Sequence, residues 1–74
     1  MDVQRRLGLR VQQLRTAKGW SQEELAYRAD LHRTYVSGVE RGVRNPTITV
    51  VEKLTKALGC TYADLLDRSA GKRG

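Results

Sequence analysis

Glycines and capping residues divide this chain into helical segments too short to be stable alone, so it must pack several of them around one small core. Val3, Leu7, Val11 and Leu14 recur at helical spacing and predict a first helix from about Asp2 to Ala17, ended by Gly19. Ser21 opens a second helix that runs to about Ala29. With Glu24 it has the spacing of a capping box, and Trp20 with Leu25 has that of a hydrophobic staple. Asp30 follows where the chain must turn, and aspartate enters the left-handed region at modest cost. A third helix is expected from about Arg33 to Arg41, stopped by Gly42, with Val43 to Pro46 as a loop. Thr47 or Thr49 caps a fourth helix, in which Ile48, Val51, Leu54 and Leu58 form one stripe before Gly59. Thr61 with Asp64 opens a short fifth helix carrying Leu65 and Leu66. The expected architecture is all-α: five short helices in one domain over residues 1–67, followed by a basic, disordered tail at 68–74. Strand alternation, internal repeats and an interdomain linker are not evident.

A chain of 74 residues has room for one domain. Its 14 Lys and Arg against 8 Asp and Glu give a net charge of +6, a field that attracts polyanions, nucleic acid first among them. A membrane is a poorer partner, because charges interrupt every apolar run well short of the roughly 18 residues of a spanning helix. The N-terminus lacks the apolar core of a signal peptide, so a cytoplasmic protein is expected. With 1 Cys and 1 His the chain has no standard Cys/His zinc site, and no metal or other cofactor is expected. Cys60 is expected to be a small buried apolar residue, with redox sensing as the alternative. Paired carboxylates, a nucleophile with its base and a glycine-rich phosphate loop are all missing from the pattern, so no enzyme and no small-molecule ligand are expected.

The third helix carries the chemistry. At 100° per residue, Arg33, Thr34, Ser37, Gly38 and Arg41 share an arc of about 140°, while Tyr35, Val36 and Val39 occupy the other side. Arginine bonds both acceptors of a guanine edge, and Thr and Ser donate or accept, so this arc suits a DNA major groove. Any amphipathic surface helix also shows a polar arc, and periodicity alone leaves the two readings level.

The strings Gly19-Trp20-Ser21-Gln22-Glu23-Glu24-Leu25-Ala26 and Val36-Ser37-Gly38-Val39-Glu40-Arg41-Gly42, then Pro46 and Ala57-Leu58-Gly59, closely resemble the Cro and lambda-repressor (XRE) family of helix-turn-helix proteins. Leu31-His32-Arg33-Thr34-Tyr35-Val36 before Val39-Glu40-Arg41-Gly42 is most similar to the small controller proteins of restriction-modification systems. The resemblance implies a lambda-repressor-like fold with its helix-turn-helix at about 21–41, acting as a dimeric transcriptional regulator on double-stranded DNA. It further implies base contacts by Arg33 and Thr34, with Ser37 and Gly38 beside them, and a phosphate contact by Gln22. Backbone N–H groups and the dipole at a helix start favour an anion near Gln22 independently. Arg41, Arg44 and Asn45 match positions that touch the sugar-phosphate backbone, and Arg15 with Glu40 matches a partly buried ion pair that orients the third helix. His32 is either a phosphate donor whose protonation strengthens binding or an exposed cap residue.

Two positions depart from the family pattern. Gly38 stands where many relatives carry a long polar side chain: either the backbone approaches DNA closely there or one base contact has been given up. Asp30 replaces the usual turn glycine. One module makes too few contacts for a tight specific complex, whereas two on a palindrome suffice. Val50, Val51, Tyr62, Leu65 and Leu66 are the candidate homodimer interface. The rival reading is an antitoxin-type interaction module that also binds DNA. RNA binding is a weaker rival, since surface aromatics are few.

Overall fold

The computed structural model describes residues 2–66, in the order α1 (Val3–Ala17), α2 (Gln22–Ala29), α3 (Arg33–Glu40), α4 (Ile48–Leu58) and α5 (Tyr62–Leu66). No strand occurs among the described residues, and the fold is all-α with five helices. Residue 67 and the tail expected at 68–74 lie outside the described residues. No described helix is long and apolar enough to cross a membrane.

Local capping chemistry sets the helix starts. Asp2 is the N-cap of α1, its carboxylate accepting the Arg5 N–H at 2.8 Å, so the helix begins one residue later than expected. Thr47 and not Thr49 caps α4, through the Val50 N–H at 3.2 Å. Thr61 and Asp64 bond reciprocally at 3.1 and 2.9 Å, a complete capping box before α5. At Ser21 the box is only half made. Its hydroxyl accepts the Glu24 N–H at 3.0 Å, but the Glu24 carboxylate turns to Arg28 Nε at 2.5 Å, because an exposed i,i+4 partner competes for it.

One device ends α1 to α4. A residue one or two positions past the helix adopts the left-handed conformation (Gly19, Asp30, Gly42 and Gly59, φ between 58° and 77°), and paired N–H groups close back on the last turn. At the end of α2 these bonds run from Leu31 to Ala26 at 2.8 Å and from Asp30 to Tyr27 at 3.2 Å. Here the αL residue is an aspartate, and Lys53 of α4 reaches over to its carbonyl at 3.5 Å and its carboxylate at 3.6 Å.

The core gathers Leu7 and Val11 of α1, Leu25, Ala26 and Ala29 of α2, Val36 and Val39 of α3, Leu54 and Leu58 of α4, and Leu65 of α5. The expected stripes are shifted at their starts: Val3 is 52% exposed and Ile48 78% exposed, because the first turns of α1 and α4 project past the core. α3 packs against both α1 and α2, α4 lies on α2, and α5 closes against α1 and α4. Arg10 Nε donates to the Asp64 carbonyl at 2.9 Å, tying α1 to α5. The α1–α3 crossing depends on Gly8. A Cβ there would run into the carbonyl oxygen of Val39 and lie 2.7 Å from that of Glu40. Cys60 is half-buried against the core, and burial pushes its thiol pKa up, with Asp64 adding to the rise and Arg10 and Lys18 opposing it.

Candidate nucleic-acid interface

The two faces of α3 are separated by what they touch. Val36, Val39 and Glu40 are buried, whereas Arg33 and Thr34 in the first turn are exposed and Ser37 is half-buried. His32 is the N-cap residue, exposed and extended, and its imidazole makes no capping bond. The α2–α3 turn through Asp30, Leu31 and His32 therefore presents the start of α3 outward, with two polar side chains that suit base edges.

The far end of α3 is clamped. Arg15 grips the Glu40 carboxylate with both arms of its fork, Nε to Oε2 at 2.6 Å and Nη2 to Oε1 at 3.0 Å, and donates from Nη1 to the Trp20 carbonyl at 2.7 Å. Hydrogen bonding to Glu40 holds the Arg15 pKa above its ordinary value, outweighing the burial that lowers it. Gln22 joins the same cluster, its Nε2 donating to Glu40 Oε1 at 3.0 Å. The end of α1, the start of α2 and the end of α3 are thus pinned at one point, which fixes how α3 projects. Among the described residues no buried side-chain polar atom is left without a partner.

The sequence places Gln22 at a phosphate. In this structure its amide is half-buried and bonded to Glu40, since that carboxylate needs a further donor in its dry surroundings. The start of α2 still offers backbone N–H groups. Beside it, Trp20 stacks under two cations, Lys18 with its Nζ 5.1 Å from the ring centre and Arg28 with its guanidinium carbon at 4.3 Å.

Gly38, expected beside the base contacts, is buried, and Arg44 folds back over it from the following loop. The Gly38 carbonyl accepts the N–H groups of Val43 at 3.0 Å and Arg44 at 3.2 Å, and the Arg44 guanidinium carbon sits 4.9 Å from the centre of the Tyr35 ring. Arg41, Arg44 and Asn45 are all exposed.

Of the residues assigned to an interface between copies, Leu65 is 2% exposed and belongs to the core, since it is the α5 leucine turned inward where the helix closes against α1 and α4. Val50 and Val51 are half-buried against that core, while Tyr62 and Leu66 are exposed. An open apolar groove of about 200 Å³ runs between Val3 and Leu7 of α1, Pro46 and Ile48 at the start of α4, and Tyr62 and Leu66 of α5. Its α1 wall was not legible in the sequence, because Val3 reads there as one more core position.

The pattern of the helix-turn-helix family matches residues 11–65. The chain belongs to that family, in its XRE branch. Its helix-turn-helix relatives include the control protein C.BamHI of Bacillus amyloliquefaciens, 52% identical over 61 residues that make up 81% of this chain and 75% of that protein. The crystal structure of the restriction-modification controller protein C.AhdI from Aeromonas hydrophila superposes with a TM-score of 0.80 at 48% identity, covering 82% of this chain and 92% of that one. A third similar structure is the C.Esp1396I controller tetramer in complex with its natural 35 base-pair operator, with a TM-score of 0.78 at 36% identity over 85% of this chain and 83% of that one. α2 and α3 are joined by the tight turn through Asp30, and the Arg15–Gln22–Glu40 cluster braces this helix pair against α1.

Proposed function

We propose that this chain is a sequence-specific, double-stranded DNA-binding transcriptional regulator that acts as a homodimer on a palindromic operator, in the manner of a restriction-modification controller protein. The observation that carries this reading is the exposed first turn of α3, with Arg33 and Thr34 outward and the other end of the helix pinned through Glu40. Arg33 and Thr34, with Ser37, read bases. The N–H groups at the start of α2 beside Gln22, and the side chains of His32, Arg41, Arg44 and Asn45, hold phosphates. The protein is cytoplasmic, has no catalytic activity, and pairs through the groove edged by Ile48, Tyr62 and Leu66. Similarity to an operator-bound controller tetramer supports DNA over the antitoxin reading.

Selection of bound sequences from random DNA tests this. A palindromic motif with half-sites about one helical turn apart is the expected result. On the selected site, Arg33→Ala is expected to cost about 1 to 3 kcal/mol while leaving random-DNA binding nearly unchanged. Equal losses on both DNAs would remove Arg33 from base reading, and recovery of no motif would remove the regulator reading altogether.

A further inference from the structure

Two of the arginines of α1 hold the fold together: Arg15 grips Glu40, and Arg10 reaches the Asp64 carbonyl. Arg5 does neither. It is exposed, and among the described residues it makes no ion pair. Its place is nevertheless closely set. Arg5, Gly8 and Arg15 fall on the face of α1 that meets the end of α3. Gly8 lies against the Val39 and Glu40 carbonyls, and one turn earlier Arg5 lies against Gly42, the left-handed residue two positions past α3. A Cβ on Gly42 would come 2.8 Å from Arg5 Cγ, 3.2 Å from its Cα and 3.5 Å from its Cβ. The Arg5 stem therefore passes over the point where α3 ends, beside Arg41. Arg41 is exposed there, again with no ion pair among the described residues, and Arg44 and Asn45 are exposed in the loop that follows.

We infer that Arg5 is a further phosphate-contacting residue: α1 adds a cation to the edge formed by the end of α3 and its loop, and Gly42 is the seat that positions it. This deepens the regulator reading and rests on it, because that reading places Arg41 and its loop at phosphates.

Cations gathered along one edge repel one another in the unbound chain, and a polyanion laid across them turns that repulsion into attraction. The acid of the same turn does not cancel the charge: the Asp2 carboxylate is held on the Arg5 main-chain N–H at 2.8 Å as the cap of α1. An arginine whose stem packs on neighbouring backbone keeps its charged head in water, where a ligand arrives. The contact with Gly42 also involves the Arg5 main chain, so the origin of the side chain is fixed relative to α3, the helix that sets the register on DNA. Arg33 and Thr34 stand at the start of α3 and Arg5 beyond its end, so the acceptor that suits Arg5 is the backbone flanking the groove and not the bases those two residues read. The sequence shows none of this, since residues 5 and 42 are joined only by the packing of α1 on α3.

The test is a set of binding isotherms for the full chain on its selected operator and on random duplex over a range of salt, with Arg5→Ala, Arg5→Lys and Lys56→Ala. The last removes the same charge from the final turn of α4. Interference by ethylated phosphates on the operator is measured beside them. Arg5→Ala is expected to weaken both duplexes alike, about threefold to tenfold, with a salt slope lower by about one. Its thermal melt is expected to stay at or slightly above wild type, because the Asp2 cap uses the main chain and an exposed like charge is removed. Arg5→Lys is expected to restore most of the affinity, since a phosphate accepts a point charge. Lys56→Ala is expected to bind nearly as wild type. One phosphate per half-site is expected to interfere when ethylated with wild type and to stop interfering with Arg5→Ala. Full affinity in Arg5→Ala, a loss equalled by Lys56→Ala, or an unchanged ethylation pattern would leave Arg5 no more than a share of the overall field and overturn the inference. A loss on the operator alone, or a melt lowered in step with affinity, overturns it too. Each of these leaves the regulator reading intact, whereas a wild-type chain that binds neither DNA overturns both.

Discussion

Glu40 shows how much one side chain can hold in place. Its side chain is 3% exposed, and its two oxygens receive three hydrogen bonds from Arg15 and Gln22. Removing one member of a buried pair leaves a charge with nothing to solvate it, so Glu40→Ala is expected to lower unfolding stability by about 3 to 5 kcal/mol in chemical denaturation. The joint replacement Arg15→Met with Glu40→Leu is expected to cost much less, because no charge is stranded; a loss equal to the sum of the single changes would contradict that account. At the other extreme is Cys60, whose thiol pKa is raised chiefly by burial. A group protonated more tightly in the folded state stabilises it below the unfolded thiol pKa and loses that contribution as pH rises through the folded one. Wild type minus Cys60→Ala stability is therefore expected to fall as pH is raised above about 8.5 and to be flat below it, measured by urea titrations at several pH values.

The helices depend on a repeated termination device more than on propensity. Three of the four left-handed closures use glycine, and α2 uses Asp30 at φ 58°. An L-residue there costs roughly 1 to 2 kcal/mol, and glycine gives back about 0.4 to 1 through the unfolded chain, so Asp30→Gly is expected to stabilise by about 0.5 to 1 kcal/mol. A calorimetric Tm higher by roughly 2 to 8 °C is the expected readout. The Lys53 contact it forfeits is too exposed to reverse the sign. Gly8 works in the opposite sense. Gly8→Ala raises α1 propensity yet forces α1 away from the Val39 and Glu40 carbonyls, and a net loss of about 1 to 3 kcal/mol is expected in the same measurement. An unchanged Tm would mean that the α1–α3 crossing adjusts freely.

For the whole molecule, the distribution of surface decides the assembly. Ile48 is 78% exposed at the first position of α4, where it edges the apolar groove without entering the core. Ile48→Asp places an acid at a helix start, a favourable position, so the monomer is expected to fold normally. Sedimentation is expected to show the dimer lost and operator affinity reduced at least tenfold; an intact dimer would move the pairing surface off the groove. The helix count, the caps, the polar arc of α3 and the XRE resemblance were all legible in the residues, because each depends on neighbours within about four positions or on a contiguous string. Even the errors at that level were local, such as Glu24 choosing Arg28 over the capping box. What only the tertiary structure decided joins residues far apart in the chain: Gly8 under the end of α3, Gln22 drawn onto Glu40, Leu65 taken into the core and Val3 left at a groove, Arg44 laid over Gly38 and Tyr35. A one-dimensional pattern records which faces are apolar. Which atoms meet when those faces pack is set by the close-packed geometry of the assembled helices.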